Sequence, residues 1–301
     1  MNIVYYSLLF VAGLALGSFA NVLILRYDPD RNVFSGPSLS GRSGCMQCRR
    51  TLQWYELIPV FSFLVQRGKC RSCGIALTVQ YPLVELAGGA ITAAVPYFLN
   101  GFYGVASVNF FALLAPYWYY IVVAGWVAIF FILLLITVID LRHYLIPNEL
   151  NLLLGAIGAV NAGIMAFNPQ GLLFQFRDSF LQQYVLLLSP FQNILANHAL
   201  GAAAGFTFFL MLSLVTRGRG IGFGDVKLAL AAGLALGWPD VGLTIMLSFV
   251  LGGIISVGLM LFNKSHMRDK VPFAPFFTLG FALTFFFGHA LLSAYFGMFH
   301  L

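Results

Sequence analysis

The chain has 301 residues, 60% of them hydrophobic and only 9% charged, with a net charge of +6. A soluble domain carries roughly a quarter of its residues as charges, so a soluble globular fold is excluded. Apolar runs of about 20 residues point instead to a polytopic membrane protein. Runs such as Ile121 to Ile139 are apolar on every side, which excludes the in-out alternation of a barrel and predicts helical spans.

The first element is the apolar run Ile3 to Leu25. It lacks the positive start of a signal peptide, since Arg26 follows it, and reads as a retained span with its N-terminus outside. Further spans are predicted at 82–99, 118–139, 149–167, 196–216, 226–239, 241–262 and 273–297, for about eight transmembrane helices in all. The sixth is the shortest and is rich in glycine. With the N-terminus outside, segments 26–81, 140–148, 217–225 and 263–272 face the cytoplasm. Of the 16 Lys and Arg residues, 15 fall on or beside that face, Lys264, Arg268 and Lys270 among them, and Arg177 alone falls outside. This bias sets the orientation in a cytoplasmic (inner) membrane. It also accounts for the basic balance, so no nucleic-acid partner is invoked. The expected organisation is a first span at 1–25, a small cytoplasmic domain at 26–81, and a membrane domain at 82–301 with an external loop at 168–195. No internal repeat is evident.

All four cysteines lie in the cytoplasmic segment, as CMQC (45–48) and CRSC (70–73). Disulfides do not suit a reducing compartment. Two CxxC pairs at this separation match the ligand spacing of a four-thiolate zinc site formed by Cys45, Cys48, Cys70 and Cys73. Arg49, Arg50, Lys69 and Arg71 are expected to help keep the thiols deprotonated. With all four ligands thiolates, the metal has no open position, so its role is structural. It staples a segment too small to build its own core.

Acidic residues against the cytoplasmic ends of spans are few: Glu85, Asp140, Glu149 and Asp225. Such groups are costly near lipid and are functional candidates. Glu85 reads as a structural partner for Arg26 across the first two spans, and Glu149 suits the first turn of the fourth. Asp140 ends the third span in ITVIDLRHYLIPNELNL, and Asp225 opens the sixth in GFGDVKL. They are 85 positions apart yet fall at one predicted depth. Two carboxylates sharing one site and one proton are what acid–base hydrolysis requires. Asp225, at a helix start, is favoured in its ionised form and is expected to act as the base. Gly222 and Gly224 allow positive φ and a close backbone approach, which leaves room for an extended substrate backbone against Asp225. Lys227 either anchors the span at the head groups or tunes the pair. An Asp at a helix start is also an ordinary cap, and Asp140 has Arg142 and His143 beside it, so these residues alone leave a structural reading open.

In order along the chain, these segments resemble the bacterial type IV prepilin peptidases. GSFANVLILR (17–26) is similar to the family's opening motif. Residues 45–73 are similar to its cysteine domain, and YPLVEL (81–86) to the segment that follows. IDLRHYLIPN (139–148) resembles the first aspartate motif, GFGDVKLALAAGLALGW (222–238) the GxGD motif, and VPFAPFFTLG (271–280) the C-terminal motif. The resemblance implies an aspartic endopeptidase that removes the basic leader of type IV prepilins or pseudopilins at the cytoplasmic face. It also implies N-methylation of the new N-terminus with S-adenosylmethionine, and work beside the pilus or type II secretion assembly machinery. Asp140 and Asp225 then fall on the catalytic positions and the four cysteines on the metal-binding ones. Asn148 departs from the motif, which often has a second aspartate there. Asp28, Asp30 and Glu56 are candidates to meet the leader. Two other classes fit parts of the pattern. One is a transport or assembly scaffold stapled by zinc, against which the clustering of acidic groups at one face argues. The other is an intramembrane GxGD peptidase with other substrates, against which the cysteine segment argues.

Overall fold

The computed structural model describes residues 3–36, 40–104, 116–167, 178–191, 193–218, 220–261 and 271–298. Arg177, Arg219, Lys264, Arg268, Lys270 and the 168–177 part of the external loop lie outside these residues. Among the described residues the chain is helical, and its only sheet-like pairings are two isolated antiparallel bridges. The helices are α1 (Ile3–Leu25), α2 (Phe61–Val65), α3 (Gln80–Gly104), α4 (Pro116–His143) and α5 (Asn148–Ala166). They continue with α6 (Val185–Leu188), α7 (Ile194–Val215), α8 (Phe223–Leu236), α9 (Asp240–Leu261) and α10 (Ala274–Met298). Seven of them, α1, α3, α4, α5, α7, α9 and α10, are long and apolar enough to cross a membrane. The helix at the sixth expected span, α8, has 14 residues. At about 1.5 Å per residue it is shorter than a hydrocarbon core of about 30 Å.

The chain divides into two compact units, Met1–Ala106 and Ser107–Leu301. In the first, α1 packs along α3 through small residues, the usual solution where helices meet without a hydrophobic driving force. A Cβ at Gly13 would stand 2.4 Å from the Gly88 carbonyl oxygen, and one at Gly17 would stand 2.6 Å from that of Val84. Thr92 Oγ1 donates to the Leu9 carbonyl at 2.7 Å. Asn21 Nδ2 donates to the Tyr81 carbonyl at 3.1 Å, and Ser18 hydrogen-bonds Glu85. The GSFANV and YPLVEL segments are thus stitched to each other.

In the second unit α8 is the inner helix. Eight of its residues are buried, because alanine and glycine let its neighbours approach the backbone. A Cβ at Gly158 of α5 would meet Ala235 Cα at 2.6 Å, and one at Gly205 of α7 would meet the Ala229 carbonyl oxygen at 2.7 Å. The tightest crossing is α7 on α8, where a Cβ on Gly233 would fall 2.3 Å from the Gly201 carbonyl oxygen. Gly233→Leu is therefore expected to destabilise the unit by about 3 kcal/mol or more, because backbone cannot yield as a side chain does. Thermal unfolding of the detergent-solubilised variant checks this; a midpoint equal to the parent's contradicts it. At the opposite end from Asp225, Asp240 is fully buried and accepts from Ser179 Oγ at 2.5 Å and the Phe180 N–H at 2.7 Å. This pins the described part of the external loop. Phe180 enters an aromatic cluster with Trp126 and Phe285, at ring-centroid separations of 5.1 and 4.4 Å.

Candidate active site and metal centre

Asp140 lies in the last turn of α4 and Asp225 in the first turn of α8. What joins the two ends is the link between α4 and α5. Gly224 packs on Ile146 so closely that a Cβ there would meet the isoleucine Cβ at 3.2 Å. Asn151 Nδ2 donates to the Gly224 carbonyl at 3.4 Å, and Lys227 Nζ donates to Asn148 Oδ1 at 2.8 Å. The two aspartate motifs are therefore locked together by residues flanking the carboxylates, and Asp140 and Asp225 lie within electrostatic reach of each other.

Each carboxylate is held by a helix start. Asp225 Oδ2 accepts the Gly222 N–H at 3.0 Å. Asp140 is buried and its Oδ2 accepts the Ala274 N–H at 3.1 Å. This second donor escaped the sequence reading, because a backbone N–H has no residue signature. A signal was present in Pro272 and Pro275, which bracket the start of α10. Pro275 has no N–H, and those of Phe276 and Phe277 bond the Phe273 carbonyl, which leaves the Ala274 N–H to face the carboxylate. Thr137 and Thr278 join the same two helices one turn away, at 2.8 Å. Because both carboxylates accept an N–H from a helix start, the dipole by itself does not distinguish base from acid.

Neither glycine uses the positive φ open to it. Gly222 is the N-cap of α8 at φ −79° and ψ 162°, and is exposed. Gly224 is required by its approach to Ile146 rather than by its own dihedrals. Lys227 bonds Asn148 and also lies 5.1 Å from the centre of the Phe223 ring, so it ties the motifs together.

In the first unit the four cysteines are free thiols whose sulfurs lie within 4.8 Å of one another. Metal–sulfur bonds of about 2.3 Å in a tetrahedral site set sulfurs about 3.8 Å apart, and Cys45 Sγ lies 3.8 Å from Cys73 Sγ. The donor set fits a four-thiolate metal. The two CxxC segments form one turn twice, a local repeat not recognised in the sequence. Cys45 N–H bonds the Arg50 carbonyl, Arg49 N–H the Cys45 carbonyl and Leu52 N–H the Ser43 carbonyl; Cys70, Gly74 and Leu77 make the same three bonds to Ile75, Cys70 and Gly68. The fifth position of each turn has positive φ, 56° at Arg49 and 71° at Gly74. Backbone N–H groups of Cys48 and Gln47 lower the Cys45 thiol to about 6, and those of Cys73 and Ser72 lower Cys70. Two of the four basic side chains expected to do this are engaged elsewhere. Arg50 pairs with Glu56 at 2.7 Å and bonds Ser72 Oγ at 2.5 Å, while Arg71 lies over the Tyr55 ring. The Gln53 N–H and then Arg50 hold the Glu56 carboxyl below its usual range, so this buried, paired group is not offered to a basic leader. Asp28 is paired with Arg31 at 3.6 Å.

Arg26 and Glu85 each have other partners. Arg26 donates to the carbonyls of Ser40, Gly41 and Arg42. Glu85 Oε2 accepts the Val60 N–H at 2.7 Å.

Comparison with known proteins matches both units to peptidase families. A family model described as the Bacterial Peptidase A24 N-terminal domain matches residues 11–99, and one described as the Type IV leader peptidase family matches residues 127–257. The chain is 31% identical over 294 residues to a Bacillus subtilis (strain 168) protein named prepilin leader peptidase/N-methyltransferase, covering 97% of this chain and 98% of that protein. It is 29% identical to a protein of the same name from Aeromonas hydrophila, covering 91% and 88% of the two. A Myxococcus xanthus (strain DK1622) protein of that name is 30% identical, over 84% of this chain and 62% of its own length. No solved structure matches the chain.

Proposed function

This chain belongs to the type IV leader peptidase family, and we propose that Asp140 and Asp225 are its catalytic pair. It is a multi-pass membrane prepilin leader peptidase with N-methyltransferase activity. The observation that carries the assignment of the pair is the convergence of two carboxylates 85 positions apart in sequence. Each is held by a helix-start N–H, and flanking residues tie their motifs to each other.

The chemistry follows from a shared proton. The ionised carboxylate takes a proton from water, whose oxygen attacks the scissile carbonyl carbon. The protonated carboxyl donates to the carbonyl oxygen. As the tetrahedral intermediate collapses, the carboxyl that took the water proton gives it to the leaving nitrogen, which departs as the new N-terminal amine, and the hydroxyl proton of the intermediate returns to the other carboxylate. The Ala274 and Gly222 N–H groups fix the orientation of both carboxylates before substrate arrives. Asp140 and Asp225 act as one coupled unit. Exposed Gly222 leaves space beside Asp225 for an extended backbone.

The substrates are prepilins or pseudopilins, whose apolar helix lies among the spans and whose basic leader stays on the cytoplasmic side. The charge distribution supports a cytoplasmic (inner) membrane location with the N-terminus outside and the aspartates at the cytoplasmic face. Pilus or type II secretion machinery takes the products. In the first unit zinc is the metal that the four thiolates suit, as a structural ion that fixes the two turns. S-adenosylmethionine supplies the methyl group.

Incubating the purified protein with a precursor bearing a basic leader and an apolar helix tests this reading. Cleaved product is expected, and it should be heavier by one methyl group only when S-adenosylmethionine is added. An intact precursor after prolonged incubation contradicts the peptidase; an unmethylated product contradicts the transferase.

A further inference from the structure

The first unit carries a half-open cavity of about 290 Å³, near the lower end of the ~300–1,000 Å³ of small-molecule sites. It lies between the C-terminal half of α1, the two cysteine turns and the start of α3. Its walls include Asn21, Leu52, Phe63, Leu77, Tyr81 and Glu85. Leu52 and Leu77 occupy equivalent places in the two repeated turns, and Cys45 and Cys70 complete that wall. None of the groups assigned to cleavage belongs to this unit.

Glu85 is the unusual group here. It is buried on a helix long and apolar enough to cross a membrane, where a carboxylate is costly and marks function. Its hydrogen bonds come from neutral donors, the Val60 N–H at 2.7 Å and Ser18. The other carboxylate on the wall, Glu56, is neutralised by Arg50. Val60 has φ 60° and ψ −51°, a strained conformation for a β-branched residue. A strained turn thus aims an N–H at one oxygen of Glu85 and keeps the carboxylate at the cavity wall.

We propose that this cavity binds S-adenosylmethionine and the newly exposed pilin amine, with Glu85 as the group that receives the amine's proton. The inference rests on the methyltransferase reading above. The apolar walls and Tyr81 suit an adenosyl group, and the Glu85 carboxylate suits the sulfonium and ammonium cations that must meet there. The ammonium gives one proton to Glu85. The freed nitrogen lone pair forms the N–CH3 bond, and the electrons of the S–CH3 bond stay on sulfur. The products are a methylated ammonium, neutral S-adenosylhomocysteine and one proton, which Glu85 passes to water. Because Cys45 and Cys70 form one wall, the metal shapes this site.

Equilibrium binding of S-adenosylhomocysteine to the full-length protein in detergent, alongside methylation of a pre-cleaved pilin peptide, tests the proposal. Metal content and melting temperature verify that each variant is folded. Leu77→Trp fills the cavity and is expected to weaken binding by about tenfold or more. Glu85→Gln preserves both hydrogen bonds and is expected to bind within a fewfold of wild type yet methylate about a hundredfold more slowly at pH 7. Its deficit should shrink as pH rises past the amine's own pKa of about 8, which a merely structural role would not produce. Unchanged binding by folded Leu77→Trp overturns the location. Wild-type methylation by Glu85→Gln, or a deficit independent of pH, overturns the role of Glu85. A wild-type protein that neither binds nor methylates overturns the methyltransferase reading itself, a distinct outcome from these.

Discussion

Asp140→Asn and Asp225→Asn are each expected to cut leader cleavage by about a thousandfold or more, because the pair works as one acid–base unit. Asparagine is close in shape, and its side-chain oxygen still accepts a hydrogen bond. The Ala274 N–H at 3.1 Å and the Gly222 N–H at 3.0 Å therefore keep their partners, and α4 and α8 keep their packing. What is lost is the proton that the two carboxylates share. The double variant should be no slower than either single one, since a unit that has lost one member gains nothing from the other. Membranes carrying each variant, incubated with a precursor and followed by mass analysis of the product, provide the measurement. Processing within tenfold of wild type by either variant would refute the pair.

Removal of the metal is the second large effect. Among the described residues from 40 to 79 the buried side chains are Cys45, Glu56 and Cys70. Two are thiols of the four-sulfur cluster, and the third is paired with Arg50. This segment has almost no apolar core, and the proposed metal would supply the cohesion that burial supplies elsewhere. Structural zinc contributes about 10–16 kcal/mol in small four-ligand domains. The wild-type protein is expected to carry one zinc per chain by elemental analysis. Cys45→Ser or Cys70→Ser should lose it and expose the segment to trypsin at Arg49, Arg50, Arg67, Lys69 and Arg71. If the metal-free protein resists trypsin as the loaded one does, the stapling role is wrong. If the proposed cavity takes S-adenosylmethionine, the same variants lose S-adenosylhomocysteine binding, because Cys45 and Cys70 line its wall.

The proposed cleavage pair and its helix-start donors lie on α4, α8 and α10 in one unit, while the cysteine turns and Glu85 belong to the other. The family matches divide similarly, with residues 11–99 and 127–257 recognised separately. Ala274 lies beyond the second match, although its N–H holds one of the two carboxylates.

Helix positions were legible in the sequence because the bilayer is a one-dimensional solvent. Apolar run length sets which segments span, and basic residues mark one face. That is how Asp140 and Asp225 were predicted at one depth despite their separation in sequence. The cysteines were legible for a related reason, since ligand type and spacing are themselves the chemistry of a thiolate site. Lateral arrangement was not legible, because depth says nothing about which helices touch. That was decided by glycines and alanines at the crossings of α8 with α5 and α7, and by Gly224 against Ile146. The short length of α8 was legible too: the sixth expected span and the helix both have 14 residues, and a helix packed on its neighbours need not match the lipid. Backbone groups escaped as well. The Ala274 N–H at Asp140, the Val60 N–H at Glu85 and the amides that lower the Cys45 thiol carry no residue identity. The sequence by itself determined which carboxylates and thiols exist and predicted one depth for the two aspartates; only the tertiary structure decided what holds them, because backbone donors reach their acceptors through the packing of helices distant in the chain.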